Sequence, residues 1–426
     1  MATIVWYGAG QNLRDHENEF VEETGYPFAI CDADKEKQGT KYEFKGGGKT
    51  VDVIAIEKAM CDFPDAEIWL TLAENNLEQL SQYLLCEKGI KKEKIHLFGG
   101  IEYRLGCSEL QNACYIRADS VRTCCVQHFL KEFYYKSETV SESDVIEKLD
   151  EMEKWRVDTI EKLRENKKTS CDGCQNLKYG LFQKKPMVNY LVVLAGDKGC
   201  NCKCFYCNQY STLKKSGGDK LNHYDYYRIA ADYYKRIQWT TMVAGEPTML
   251  EELDAVLDLV HESGWGMAFH TNGIVYSEKA AMTVSDNKAS IINISLDSGT
   301  RETYKKIKRV DTFDRVAANL RKYADAGCGI HLKYILLPEY NDNIDEVNAF
   351  INIAADIGVK KVILSWNQYD YYDGVWKNED SVPCLTESMF CIYTYMIARM
   401  EEEGLPWDIE TTNFSKSDCE RLERLH

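Results

Sequence analysis

Residues 189–207 read NYLVVLAGDKGCNCKCFYC. The run Asn189 to Ala195 is apolar and short, bounded by Gly196, and reads as a buried strand. A glycine-bearing loop comes next and places Cys200, Cys202, Cys204 and Cys207 within eight residues. Thiolates are soft ligands that suit iron-sulfur clusters or zinc. Three of them at spacing x3 then x2 can hold three corners of a cubane and leave the fourth corner without a protein ligand. A zinc knot is the alternative on spacing alone, built from all four thiols or from Cys200 and Cys202 with Cys171 and Cys174, because structural zinc prefers closed four-thiolate sites.

Downstream of this loop, strand and helix signals alternate at a regular period. Strand candidates stand at Thr240 to Ala244, Met267 to Thr271, Ser290 to Asp297, Ile330 to Leu337 and Lys361 to Trp366. Between them lie helical stripes: Tyr226, Ile229, Ala230 and Tyr233; Leu253, Val256, Leu257 and Val260; Val316, Leu320 and Tyr323; Val347, Phe350, Ile351 and Ala354. Gly264, Gly327 and Gly358 are placed as stops. With the strand at 189–195 this predicts a (βα)6 partial TIM-like barrel over 187–370, followed by a helical extension over 371–426. In such folds the loops after the strands converge on one mouth, where the chemistry gathers.

Upstream, residues 1–100 alternate strand and helix signals at a shorter period, from Ile4 to Tyr7 through Pro27 to Cys31, Val51 to Ile56 and Glu67 to Leu72 to Lys94 to Phe98. They predict a small doubly wound Rossmann-like α/β domain. Gly8-x-Gly10 after the first strand, with Asp32 some twenty residues on, partly fits a dinucleotide fingerprint, but Leu13 holds the third glycine position. Residues 101–186 lack this alternation. They carry Cys171-x2-Cys174 and a charged helix over Ser143 to Asn166, and read as a connecting, mostly helical region.

The chain has 426 residues, 44% of them hydrophobic, which is enough for two cores. No run approaches the roughly eighteen apolar residues of a membrane helix, and the N-terminal residues lack the pattern of a signal peptide. A cytoplasmic location without membrane partners is expected. A net charge of -16 repels polyanions and speaks against nucleic acid. Seventeen cysteines in a long cytosolic chain point to metal or redox chemistry over disulfides. Cys31, Cys61, Cys86 and Cys328, each alone among apolar residues, are expected to fill core space.

Cys200-x3-Cys204-x2-Cys207, with Tyr206 before the last cysteine, resembles the signature of the radical S-adenosylmethionine (radical SAM) superfamily, whose members use a partial (βα)6 barrel with the motif after strand one. Ala244-Gly245-Glu246-Pro247-Thr248 is similar to the Gly-Gly-Glu-Pro motif of that family, with Ala in the first position. Thr271-Asn272-Gly273, Ser295-Leu296-Asp297-Ser298 and the strand bearing Lys333 stand where the family places ligand contacts. The resemblance implies a 4Fe-4S cluster on Cys200, Cys204 and Cys207, with S-adenosylmethionine on the open iron. Reductive cleavage would then give a 5'-deoxyadenosyl radical that abstracts a substrate hydrogen. It also implies cofactor contacts from Tyr206, Ala244, Gly245, Glu246, Thr271, Asn272, Ser295, Asp297 and Lys333. The bland readings are a plain turn at Asn272-Gly273 and a helix N-cap at Ser295 to Ser298. Cys202 is expected to stand apart from the cluster. Cys171 and Cys174 are candidates for an auxiliary cluster or zinc site, against an incidental pair.

Trp6-Tyr7-Gly8-Ala9-Gly10, with Cys31-Asp32-Ala33-Asp34-Lys35 and Gly39, looks like the small Rossmann-like domains attached to enzymes of bacterial surface-sugar pathways, which implies a small-molecule or carbohydrate-linked substrate and leaves open whether this domain binds a nucleotide, a sugar nucleotide or nothing, as a scaffold. An electron donor such as flavodoxin or ferredoxin is implied. The alternatives are a glycyl-radical activase, a peptide-modifying radical SAM enzyme, and a non-catalytic iron-sulfur or zinc-binding protein.

Overall fold

A computed structural model describes residues 3–45, 48–125, 131–136, 139–174, 176–194, 199–207, 221–243, 245–367, 384–410 and 414–424. The chain divides into two compact units, Met1–Gln111 with Arg156–Met187, and Asn112–Trp155 with Val188–His426.

In the first unit, β1 (Ile4–Tyr7) is flanked in parallel by β2 (Ala29–Cys31) and β5 (Glu67–Leu70). Beyond these lie β4 (Thr50–Ile54) and β6 (Ile95–Leu97), with β3 (Lys41–Glu43) antiparallel on β4, giving the order β3-β4-β2-β1-β5-β6. The chain order reverses at β1, as in a doubly wound sheet. Period-2 alternation along β1 sends Val5 and Tyr7 to one face, packed with Ile56, Ala59 and Leu77, and Trp6 to the other, packed with Leu13 and Phe20. Leu13, at the third fingerprint position, is therefore a core residue beneath the first helix, Gln11–Thr24. A separate antiparallel pair, β7 (Ile101–Gly106) with β11 (Lys178–Gln183), belongs to the same unit.

The second unit is built on one sheet, β10-β9-β8-β12-β13-β14-β15-β16-β17-β18. Its parallel strands are β8 (Ala113–Arg117), β12 (Tyr190–Leu194), β13 (Trp239–Met242), β14 (Gly266–Thr271), β15 (Ile291–Ser295), β16 (Ile330–Leu336), β17 (Lys361–Trp366) and β18 (Trp407–Ile409). The short β9 (Ser120–Arg122) and β10 (Phe133–Tyr134) run antiparallel at the β8 edge. The six barrel strands read from sequence are present, and the parallel run gains one strand at each end. Two expectations are corrected by this. Residues 101–186 carry strands in both units, and the region after 371 supplies β18 beside its helices Glu387–Glu402 and Lys416–Glu423.

Helices cover one face of this sheet. Leu191, Val193, Met267, Phe269, Ile292, Ile294, Leu332 and Leu364 alternate onto that face and join the stripes of the helices in one apolar core. A fully buried side chain of this size contributes about 1.5–3 kcal/mol. Ser277, Thr300, Asn343 and Thr386 each cap a helix by accepting a backbone N–H three residues on. Gly264, Gly327 and Gly358 end theirs at φ +68°, +82° and +71°.

Cys31 and Cys328 are buried as expected, whereas Cys61 and Cys86 are exposed and fill no core. No helix of the described residues is long and apolar enough to cross a membrane.

Candidate active site

The loop after β12 is described from Gly199 to Cys207. Two backbone bonds moor it to the end of the helix Arg301–Lys308: Lys203 N–H donates to Lys308 O (3.0 Å) and Phe205 N–H to Ile307 O (3.2 Å). Cys202 turns inward and is only 3% exposed within the apolar core, while Cys200 and Cys204 pack against its edge and, like Cys207, stay partly accessible. The Cys202 thiol donates towards its neighbours. That hydrogen bonding is the largest influence on both, pushing Cys200 down to about 7 and Cys204 down to about 6 and Cys202 itself far up. Cys200 and Cys204 thus have the character of thiolate donors, and Cys202 that of a buried thiol.

The segment after β13 lies against the start of this loop. Gly245 adopts φ +55°, and a Cβ there would sit 2.4 Å from the carbonyl oxygen of Gly199. Glu246 N–H donates to that same oxygen (3.0 Å). Only glycine permits both the conformation and the approach. Ala244 lies outside the described residues. The Glu246 carboxylate is buried and accepts four hydrogen bonds: from Thr248 N–H (3.2 Å), Thr248 Oγ1 (2.7 Å), Thr271 Oγ1 (2.6 Å) and Asn272 N–H (2.7 Å). Burial raises its pKa and these donors oppose the rise. The side chain therefore ties the end of β13 to the end of β14. Asn272 reaches back from β14 to the cysteine loop, with Nδ2 3.5 Å from Cys200 Sγ and bonded to Asn201 Oδ1.

At the end of β15, Ser295 is half-buried and Asp297 is fully buried. Asp297 holds φ +57°, a left-handed conformation unusual for a non-glycine residue. Its Oδ2 accepts from Tyr206 O–H (2.8 Å) and pairs with Lys308 Nζ, and its Oδ1 accepts from Ile335 N–H (2.9 Å). Both oxygens face the protein. The Tyr206 hydroxyl also accepts from Lys308 Nζ (3.0 Å), so this tyrosine is anchored by its polar end. Lys308 was not foreseen from sequence, because it closes a helix of exposed lysines.

The face of the sheet opposite the helices is apolar at β8 and β12, where Ala113, Tyr115 and Val192 cluster, and carries polar side chains on the strands that follow. Tyr190 and Thr241 share a hydroxyl bond (2.9 Å), and Asn293 Nδ2 meets His270 Nε2 (3.0 Å). Lys333 is ion-paired with Glu410, which also accepts from Ser365 Oγ (2.7 Å). Burial pushes His270 down to about 4, so it is neutral near pH 7. At the β8 edge Arg117 and Arg122 converge on Glu132 (3.2 and 3.0 Å). His270, Glu410 and the two arginines were likewise missed. Their common signal is alternation: each stands on or just after a strand, in register with the residues that avoid the apolar core.

Cys171 and Cys174 lie in the first unit, in a turn closed by Cys174 N–H to Cys171 O (3.0 Å). That unit also has a cavity of about 310 Å³ at the end of β1, lined by Gly10, Arg14, Lys37, Lys41 and Tyr42 among others. Asp32 Oδ2 closes the turn beside it by accepting Ala9 N–H (2.8 Å).

Known proteins share parts of this chain. Residues 198–351 match the family model described as the Radical SAM superfamily. A probable GTP 3',8-cyclase of Saccharolobus islandicus is 27% identical over 169 residues, covering 39% of this chain and 53% of that protein. The GTP 3',8-cyclase of Clostridium perfringens is 27% identical over 176 residues, covering 40% and 52%. The chain thus spans about half the length of the curated relatives it matches. Among solved structures, Streptococcus suis SuiB bound to precursor peptide SuiA has a TM-score of 0.42 and 13% identity, covering 53% of this chain and 49% of that one.

Proposed function

Residues 198–351 place this chain in the radical SAM superfamily of enzymes, and from that premise we propose that it cleaves S-adenosylmethionine reductively and acts on a small polar substrate seated against the open face of the second unit's sheet. One observation carries the reading. On the loop after β12, the thiols at spacing x3 and x2 stay accessible, with Cys200 and Cys204 biased towards thiolate, while the extra Cys202 is withdrawn into the core as a thiol. This donor set fits a 4Fe-4S cluster held by Cys200, Cys204 and Cys207 with one iron left for S-adenosylmethionine. When bound, the pair supplies a 5'-deoxyadenosyl radical.

The chain's own residues hold and shield that site. The buried Asp297, Lys308 and Tyr206 anchor the loop from beneath, so that its backbone is tied down before metal arrives. Glu246, by gathering Thr248, Thr271 and Asn272, sets the ends of β13 and β14 side by side, beside the Gly245 turn proposed to meet the amino acid part of the cofactor. Asn272, Ser295 and Lys333, with the ring of Tyr206, are proposed as the remaining cofactor contacts. His270, Asn293, Ser365 and Glu410 then offer neutral and charged groups to a hydroxylated substrate.

The names of the relatives support a small-molecule substrate, and the basic cavity of the first unit supports a phosphate-bearing or carbohydrate-linked one. A low-potential donor such as flavodoxin or ferredoxin would supply the electron. The test is anaerobic reconstitution with iron and sulfide, then reduction with S-adenosylmethionine present. Release of 5'-deoxyadenosine is expected, and its absence from protein carrying a full cluster would overturn the reading.

A further inference from the structure

The first unit carries a basic cavity in a chain whose balance is acidic, with 68 acidic residues against 52 basic ones. The cavity of about 310 Å³ at the end of β1 is lined by Arg14, Lys37 and Lys41 and, among the described residues, by no carboxylate. That volume is at the small end of ligand pockets, which run from roughly 300 to 1,000 Å³. One wall is the start of the helix Gln11–Thr24. Gly10 occupies the cap position without a side-chain cap, and the first turn holds no acidic residue. The N–H groups of Gln11, Asn12 and Leu13 find no acceptor among the described residues. Together with the helix dipole they leave about half a positive charge at the edge of the cavity.

Of the three cations, Lys37 is engaged, with Nζ 3.3 Å from Asp32 Oδ2 and 4.0 Å from Asp34 Oδ2. Arg14 lies over the ring of Tyr42, 5.3 Å from its centroid, and Lys41 stands opposite Asp52 in the β3–β4 ladder, yet neither forms an ion pair among the described residues. Tyr42 is fixed in turn, because its hydroxyl donates to the buried Glu17 carboxylate (2.9 Å). The ring is thus a rigid seat for the guanidinium. Val53 adds an apolar patch beside it.

These groups do not suit a dinucleotide. The Asp32 carboxylate that would take a ribose is fully engaged, Oδ2 by Ala9 N–H (2.8 Å) and Lys37 Nζ, Oδ1 by Asp34 N–H (2.9 Å). Leu13, at the third fingerprint position, belongs to the core. Two unpaired cations beside a helix N-terminus match instead a phosphate monoester, which carries about −1.5 to −2 charge near pH 7. We propose that the cavity binds the phosphate group of a small phosphate monoester between Arg14, Lys41 and the N–H groups that open the helix, with the rest of the ligand against Tyr42 and Val53. The proposal rests on the phosphate-bearing substrate class read above, but binding here uses none of Cys200, Cys204 and Cys207, so the two readings fail separately.

The experiment titrates the full chain, prepared without phosphate, with glucose 1-phosphate, inorganic phosphate, glucose and NAD in a calorimeter. Glucose 1-phosphate and inorganic phosphate are expected to bind and to compete for one site, and glucose and NAD are not. Changing Arg14→Gln and Lys41→Gln together should weaken glucose 1-phosphate by about tenfold or more. Lys35→Gln, at an exposed residue outside the cavity, should leave it within about twofold. Cys204→Ala should bind as the parent does, which separates this site from the cluster. Acetylation read by mass spectrometry tests the same point in the unaltered chain, where glucose 1-phosphate should protect Lys41 and not Lys35. No saturable binding of either phosphate at millimolar concentration, tighter binding of NAD, or an affinity unchanged in the Arg14 and Lys41 variant would overturn the proposal.

Discussion

The ammonium of Lys308 is buried against the carboxylate of Asp297, with 3% and 0% of the two side chains exposed. The Tyr206 hydroxyl completes the cluster, and the backbone of the cysteine loop hangs from the same helix end. Charges removed from water this completely are tolerated only as a pair, so each partner holds the other in place.

Lys308→Met should therefore leave Asp297 buried and uncompensated, at a cost of about 3–5 kcal/mol. Denaturant unfolding of the apo protein is expected to show that loss, and iron retention should fall with it. Combining Lys308→Met with Asp297→Asn should recover much of the stability, and equal loss in the double variant would contradict the pairing.

The cysteines separate by environment. Cys204→Ala is expected to abolish iron binding. Cys202→Ala, which removes a small buried side chain, should keep the iron at a stability cost on the order of 1 kcal/mol. Iron and sulfide content of reconstituted protein check this, and loss of iron in both variants would refute the ligand assignment.

Gly245→Ala places a Cβ against the Gly199 carbonyl in a left-handed conformation that alone costs an alanine roughly 1–2 kcal/mol. Iron binding should survive, while affinity for S-adenosylmethionine should drop about tenfold or more. Anaerobic equilibrium dialysis measures both, and unchanged affinity would dissociate this loop from the cofactor.

His223 opens the helix His223–Tyr233, and neither of its ring nitrogens has a partner among the described residues. Burial pushes its pKa from 6.5 down to about 4. The unfolded chain then binds a proton between those values that the folded chain refuses, so stability falls as pH drops from about 6.5 to 4 and is unaffected by this group above that window. The loss is roughly 3 kcal/mol across the window. His270 and His331 behave alike, so the comparison is between parent and His223→Phe. Melting curves at pH 7 and 5 should show a smaller decline in the variant, and equal declines would disprove the assignment.

Much of the barrel was legible because its elements are long and periodic. The stripe Leu253, Val256, Leu257, Val260 is buried as read, and the strand before Cys200 is β12. Ala113–Arg117 escaped notice because it is buried along almost its whole length and so shows no alternation, and Trp407–Ile409 because three residues carry too little pattern. Side-chain partners were the least legible. Tyr206 and Asp297 are 91 positions apart, and Lys308 differs from the exposed Lys305 only in which way its helix face turns.

The most direct measurement is 5'-deoxyadenosine formed per cluster by reduced, reconstituted protein given S-adenosylmethionine, alongside Cys204→Ala. Turnover by the parent and none by the variant is the expected result. A parent that holds its cluster, is reduced, and leaves S-adenosylmethionine intact would contradict the account.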